Sequence, residues 1–356
     1  MKPVYYYPLN DNPSIGEQSQ AIRALIEASR MDRMIAPRDF VAIKLHVGEE
    51  HNTTHIKPEL IKTLVDACSG RDGNVFLTET STLYRGEREN AVKHLLHAQR
   101  HGFGIERVGA PFIMADGLTG GSEVEVRIDG ELETTVKIAR EVALTDVLIA
   151  VSHPTGHIDA GLGACLKNLG MGLASRAGKL RQHSSVQPKV KPAKCCLCRK
   201  CMRWCPQDAI VAQERSAVIL AEKCIGCGEC LTVCRYGAIS HDWETESEPL
   251  QKRMVEYAFG AIKDKREKCF YFNVLVGMTE NCDCFAVNQP KLVPDLGILA
   301  SGDPVAIDKA TLDLTARANG RSLAELAHGN LNAMLQLEHG AKLGMGSLEY
   351  ELVTIK

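Results

Sequence analysis

The sequence lacks any apolar run long enough to cross a bilayer. Its longest strongly apolar stretch, Val147-Leu148-Ile149-Ala150-Val151, falls far short of the ~20 residues a membrane helix needs. A signal peptide is not expected either, because Met1-Lys2-Pro3-Val4-Tyr5-Tyr6-Tyr7-Pro8 runs straight into polar residues. There is no excess of charge of either sign. With 42 Lys and Arg against 44 Asp and Glu the formal net charge is −2, so nothing global points to nucleic acid or a membrane surface. Two nucleotide fingerprints are also missing. Gly161-x-Gly163 has Leu166 where a third glycine would stand, and no G-x-x-x-x-G-K-[ST] run occurs. These absences leave secretion, a membrane span and a nucleotide cofactor without support. What remains is a 356-residue chain of ordinary composition, 45% hydrophobic and 24% charged, with room for about two domains.

One residue type is in excess: there are fourteen cysteines. Without a secretory leader they argue for metal ligands or reactive thiols rather than disulfides, and for a reducing, cytoplasmic setting. Around them the first half alternates helix and strand signals. Ser14 and Glu17 form a capping box that opens an amphipathic run through Ile22, Leu25, Ile26 and Met34. Strands are expected at 40–47, 74–80 and 145–152, and helices at 58–68 and 89–100. Val124, Val126 and Ile128 alternate ahead of an Asp129-Gly130 turn. Helices over 249–263, 303–319 and 331–342 and strands over 270–277 and 348–355 follow. This is the pattern of a layered α/β protein. It breaks at 189–243, a cysteine-dense and internally repeated stretch. The expected organisation is an α/β domain in two parts, 1–188 and 244–356, with a small α+β ferredoxin-like domain inserted at 189–243.

Cys195, Cys198, Cys201 and Cys205, followed by Pro206, spell C-x2-C-x2-C-x3-C-P, and Cys224, Cys227, Cys230 and Cys234 repeat the spacing. A cubane cluster takes three thiolates from one such loop and the fourth from the other run. Crossed ligation assigns one 4Fe-4S cluster to Cys195, Cys198, Cys201 and Cys234, and the other to Cys224, Cys227, Cys230 and Cys205. Gly226 and Gly228 would let backbone N–H groups approach the sulfurs. Zinc also favours C-x2-C pairs, but it closes with four ligands and has no use for a third step repeated twice. The segment resembles bacterial two-cluster ferredoxins over about 50 residues. It departs from them at Arg235, where proline often follows the last cysteine, and at Cys196, a spare thiol that could replace Cys195. From Ala160 to Gln207 there are ten Lys or Arg and no Asp or Glu. This is either a basic docking surface for an acidic electron partner or charge that balances anionic clusters.

Outside the two runs, Cys68 and Cys165 read as small hydrophobes. Cys282-Asp283-Cys284 follows a strand end, where two thiols could hold a metal, approach a cluster, form a strained redox pair, or be incidental loop residues. Lys44 and His46 alternate on the 40–47 strand, with Glu49, His51 and His55 beyond. His157 and Lys167 follow the 145–152 strand. In an open α/β sheet ligands bind beyond the carboxyl ends of strands, and a cleft there could use Lys44 and Lys167 for an anion. His46 and His157 could transfer protons or, with the two thiols, hold a transition metal.

Several stretches together resemble the uncharacterised iron–sulfur family catalogued as domain of unknown function 362. They are Lys44-Leu45-His46-Val47-Gly48-Glu49, His157 with Ala160-Gly161-x-Gly163, Lys167-Asn168-Leu169-Gly170-Met171-Gly172, Cys282-Asp283-Cys284, and Ser301-Gly302-Asp303-Pro304-Val305-Ala306-Ile307-Asp308. The resemblance implies an α/β domain carrying an inserted two-cluster module and implies no reaction. A remoter similarity, to the nickel-pincer lactate racemase fold, is analogy alone. The expectation is an iron–sulfur redox protein that passes electrons through two clusters to the strand-end cleft. Its rivals are a plain electron carrier or docking protein and a redox-silent enzyme with structural clusters.

Overall fold

Every residue of Val147–Ser152 is buried, which requires cover on both faces of its sheet. The computed structural model describes residues 3–183, 187–224, 228–240 and 246–355, and it supplies that cover. One sheet contains β1 (Pro3–Pro8), β2 (Phe40–Lys44), β3 (Asn74–Glu79), β4 (Phe112–Met114), β5 (Val147–Ser152), β6 (Cys269–Leu275), β7 (Gly297–Ser301) and β8 (Glu351–Thr354). The order across it is β8-β1-β7-β6-β5-β2-β3-β4. All these strands run parallel except β7, which is antiparallel to both neighbours. The two-residue period divides β5 between two cores: Leu148 and Ala150 enter one, and Val147, Ile149 and Val151 the other.

Helices α1 (Ile15–Ser29), α2 (Pro58–Ser69) and α3 (Ala91–Arg100) cover the second of these faces. Across the sheet lie α4 (Cys165–Leu173), α5 (Arg176–His183), α6 (Ser247–Ile262), α7 (Pro304–Asn319) and α8 (Met334–Lys342). Local rules set their ends. The Ser14–Glu17 capping box forms as expected, and Pro58 opens α2. The Asn90 side chain caps α3, so that helix starts at Ala91 rather than Glu89. Strands β1 and β7 carry no element in the sequence reading, because neither shows a run of alternation; each exists because it pairs with the other.

The Ser301-to-Asp308 motif is structural. Asp303 caps its own helix α7 through Val305 and Ala306 N–H, both at 2.9 Å. Asp308 reaches across to cap α4, accepting from Cys165 and Leu166 N–H at 2.9 and 2.8 Å. One sequence stretch thus starts two helices, one of which carries Lys167.

The crossover from β5 to β6 passes through α4, α5, the cysteine-rich segment and α6. Within that segment Lys189–Val190 pairs with Ile239–Ser240, and Ile210–Gln213 with Ser216–Ile219. Ile210, Ala217, Leu231 and Ile239 form a small apolar cluster there, which Leu180 of α5 joins. Trp243, the expected end of the insert, lies outside the described residues, as do Gly226 and Cys227.

Candidate functional site

Because β2, β3, β5 and β6 are parallel, their carboxyl ends share one edge of the sheet. The loops leaving that edge and helix α4 enclose a cavity of about 250 Å³. Its lining includes Lys44, His46, His157, Lys167, Cys282 and Cys284, so six expected residues from four separate stretches of chain meet there. Strand β2 stops at Lys44, so the alternation argument does not extend to His46. His46 sits in the loop and faces the cavity because its Nδ1 accepts the Gly48 N–H at 3.0 Å.

Lys44 is buried, and protein groups occupy its ammonium. It donates to the Leu45 carbonyl at 2.5 Å and Asn168 Oδ1 at 2.7 Å, and stands 3.5 Å from Glu79. Two glycines of the Lys167-to-Gly172 stretch make this possible. A Cβ at Gly172 would lie 2.7 Å from Lys44 Cε, and one at Gly170 would lie 2.0 Å from the Met254 carbonyl of α6. The neighbouring Lys167 and Asn168 line the cavity. Burial lowers the Lys44 ammonium, against the attraction of Glu79.

Glu79 ends β3 and is the hub of buried charge. It faces Lys44 at 3.5 Å, Arg88 at 3.9 Å and His94 at 3.0 Å, and accepts the Val47 N–H at 3.1 Å. Burial pushes its carboxyl up, but Lys44, His46 and His94 outweigh that and hold it well below the carboxylate range. Arg88 also pairs with Glu49 at 3.1 Å, tying the loop after β3 to the loop after β2. The sequence reading missed Glu79, although it stands in the expected 74–80 strand as Lys44 stands in the 40–47 strand. Arg88 and Lys179, which also line the cavity, carry no such signal.

Cys282 to Phe285 form a turn, with Phe285 N–H donating to the Cys282 carbonyl at 3.0 Å. Asp283 fastens one side of it. Its carboxylate meets His153 at 2.9 Å and Thr54 at 2.9 Å, and its carbonyl accepts the Glu49 N–H at 2.9 Å. Cys282 and Cys284 line the cavity on the other side. Cys284 Sγ lies 3.4 Å from His46 Nε2. Interaction between the two thiols, with Lys167 and His46 nearby, holds Cys284 well below the usual thiol range, and the same interaction with burial pushes Cys282 well above it. Desolvation would lower the half-buried Lys167, yet Cys282 and Cys284 attract its ammonium more than desolvation penalises it.

The histidines play different parts. Burial, with Lys167 nearby, pushes His157 well down; its Nδ1 accepts the N–H groups of Asp159 at 3.2 Å and Ala160 at 3.1 Å. Asp283, with the Gly277 backbone, raises His153 in spite of burial. His55 stands apart from the cavity, stacked on His101 at 4.7 Å, with His97 4.0 Å beyond. His97 and His101 contact the Gly48 and Val47 carbonyls at 3.0 and 2.7 Å, bracing the loop that bears His46. Burial sends the Cys68 thiol up to about 12 and Cys165 well above its usual value, as inert small hydrophobes require.

In the cysteine-rich segment Cys195, Cys198, Cys201 and Cys234 line one small cavity, and Cys205, Cys224 and Cys230 line another. Backbone N–H groups point at three of these sulfurs: Ala217 to Cys195 at 3.3 Å, Ala209 to Cys205 at 3.2 Å, and Ala238 to Cys234 at 3.3 Å. The last two are the same contact in the two halves of the repeat. Left-handed backbone also repeats, at Arg199 (φ 59°) before the helix Lys200–Arg203 and at Gly228 (φ 78°) before Glu229–Val233. Among the described residues no three His, Cys, Asp or Glu side chains converge as a ready metal site. That holds for the cleft and for the segment, where the thiols surround cavities instead of closing on a point.

The basic stretch is two populations. Lys167 and Lys179 line the cleft and are half-buried, as Arg176 is nearby. Lys189, Lys191, Lys194, Arg199 and Arg203 are exposed on the segment, beside Trp204 and Tyr236. Among the described residues no helix is long and apolar enough to cross a membrane.

Fold and site together define a three-layer α/β protein with a buried, charged cleft at the carboxyl edge of its sheet. The chain belongs to the family described as Domain of unknown function (DUF362), whose profile matches residues 41–313. It is 31% identical over 107 residues to a selenate reductase subunit of Mesobacillus selenatarsenatis, a match covering 28% of this chain and 35% of that protein. The chain therefore spans about a third of the curated relative it matches. Among solved structures it is similar to the lactate racemase apoprotein of Thermoanaerobacterium thermosaccharolyticum, at TM-score 0.40 and 14% identity, covering 76% of this chain and 50% of that one. A protein from Thermotoga maritima matches at TM-score 0.40 and 14% identity over 91% of this chain and 61% of its own.

Proposed function

We propose that this chain is an iron–sulfur redox protein whose segment 189–243, a ferredoxin-like insert, delivers electrons to a small ligand in the strand-end cleft. The observation that carries the reading is the division of the thiols between two cavities, which follows the crossed pairing of the two runs as far as the described residues go. Cys195, Cys198, Cys201 and Cys234 would hold one 4Fe-4S cluster. Cys205, Cys224, Cys227 and Cys230 would hold the other, with Cys227 outside the described residues. Such clusters store and pass single electrons at potentials set by hydrogen bonds to sulfur and by exposure. The Ala209, Ala217 and Ala238 N–H groups supply such bonds. The name of the selenate reductase relative is in keeping with a redox role.

The chain's own residues divide the remaining work. Leu180 and Leu83 pack against the segment, and Leu83 also lines the cleft, so segment and cleft are neighbours. The exposed lysines and arginines around Cys195 and Cys198, with Trp204 and Tyr236, suit an acidic electron-donating protein. In the cleft Lys167 is the cation for an anionic ligand, because Lys44 is engaged in holding Glu79. His157 and His46 can accept or donate a proton there. The exposed basic rim equally favours a plain electron carrier, and the two readings part on whether the cleft binds a ligand. Elemental and sulfide analysis of anaerobically purified protein is the test. About eight irons with matching sulfide and a reducible paramagnetic signal support the proposal. Zinc without sulfide, or clusters that neither reduce nor oxidise, would sink it.

A further inference from the structure

We infer that Cys284 and Cys282 form a dithiol centre that reduces a small, negatively charged disulfide in the cleft, Cys284 attacking and Cys282 resolving. The inference rests on the reading above for its electrons in the cell, but not for its test, in which a dithiol supplies them.

Geometry comes first. Two residues span at most about 7 Å of extended chain, and the Cys282–Phe285 turn shortens that toward the roughly 4.4–6.8 Å Cα range of a disulfide. Asp283, between the two cysteines, is fastened to His153, Thr54, Asn52 and Glu49. The turn is thus held from behind while both sulfurs face the cavity. Cys284 is the more exposed of the two and has the His46 Nε2 at 3.4 Å, which fits it to attack. Cys282 is the more deeply buried and fits the resolving role.

The surroundings favour thiol chemistry over a bound cation. Lys167 lines the cavity with both cysteines, and their sulfurs attract its ammonium. A cation there repels a divalent ion, whereas it stabilises a thiolate and attracts an anion. His153 also lines the cavity and holds Asp283 at 2.9 Å. Lys167 is the cation offered to a carboxylate. A cavity of about 250 Å³ admits a small molecule and excludes a folded protein.

The chemistry balances. The Cys284 thiolate attacks one sulfur of R–S–S–R, forming Cys284–S–S–R and releasing RS⁻. Cys282 then loses its proton to the departing thiolate and attacks Cys284 Sγ, releasing the second RS⁻ and closing a Cys282–Cys284 disulfide. Two electrons and one proton then restore the Cys282 thiol and Cys284 thiolate, and a second proton, from solvent, neutralises the second RS⁻. The reductant is a reduced one-electron carrier protein in the cell and dithiothreitol in the test.

The experiment exposes anaerobic, cluster-bearing protein to three disulfides of similar length and opposite charge: 3,3′-dithiodipropionate, 2-hydroxyethyl disulfide and cystamine. Samples are quenched in acid, alkylated and mapped by mass spectrometry. The expected product is a peptide containing Cys282 and Cys284 that has lost two hydrogens, reversed by dithiothreitol. The dianion should react at least 10-fold faster than the dication, and Lys167→Met should erase that preference. Cys282→Ser should trap the mixed disulfide on Cys284. Equal rates for all three probes, no modification of Cys284 in the native protein, or a stoichiometric metal held by the pair would each overturn the proposal. The charge series on the native chain needs no variant to fold. Loss of the clusters would undo the reading above and leave this readout intact, while an inert Cys284 would leave iron and sulfide unchanged.

Discussion

Cys195 and Cys234, which line one cavity of the cysteine-rich segment, belong to a single short stretch, and Cys205 and Cys234 each receive an N–H group from four residues further on. In the cleft, His46 and Cys284 meet across 238 residues of sequence. The segment has a small apolar cluster of its own; the cleft is walled by two large cores and a hub of buried charge. A ligand set wrapped around a cluster can be specified by local spacing, because the bound group itself organises the loops. A cleft must be assembled by a sheet, because nothing local brings its members together. Damage should therefore stay on the side where it is made.

The largest effect should follow from Cys201→Ser. We expect loss of about half the iron and rapid proteolysis within 187–240, with anion binding in the cleft retained; iron analysis and limited proteolysis measure both. Loss of cleft binding as well would break the comparison. Glu79→Gln is the converse. It leaves Lys44 and Arg88 buried beside a neutral amide, and should cost about 3–5 kcal/mol in denaturant unfolding while iron content stays unchanged. Lys62→Ala, which removes an exposed pair with Asp66 at 2.8 Å, should cost under about 0.5 kcal/mol.

Acid should separate the regions next. Burial pushes His55 down to about 3 and His94 to about 4, so below pH ~6.5 the unfolded chain takes up protons there that the folded chain refuses. Stability must then fall as pH falls, by up to about 1.4 kcal/mol per pH unit for each. His153, raised by Asp283, acts in the opposite sense: its contribution is full below its unfolded value and is lost as pH rises through its folded one. The depressed histidines prevail, so denaturation midpoints should drop between pH 7 and 5. Residues 187–240 contain no histidine, and hydrogen exchange there should change less. The last effect concerns backbone. Arg199→Gly at φ 59° should relieve about 1 kcal/mol of left-handed strain, visible as slower exchange around Lys200–Arg203. Slower exchange in the cleft loops instead would mean the two regions are coupled.

Lys44, His157, Lys167, Cys282 and Cys284 were legible from the sequence because each follows or ends a strand with a clear apolar pattern, and open parallel sheets use that edge. The layered α/β class was legible for the same reason. His46 reaches the cavity by a different route from the one the alternation suggested, through a loop braced by His97 and His101. Strands β1 and β7 escaped notice because their stability lies in pairing with each other rather than in their own composition.

By itself, the sequence determined the periodicities, the helix caps at Ser14 and Asp303, and the cysteine spacing, since each acts between residues a few positions apart. Only the tertiary structure decided that Glu79 and Arg88 are the charge hub. Only it gave Lys167 to the sulfurs, Lys44 to Glu79 and His153 to Asp283. Burial is what makes those groups matter, because it removes the water that would otherwise satisfy them, and burial belongs to the packed sheet and helices, not to any one stretch of chain.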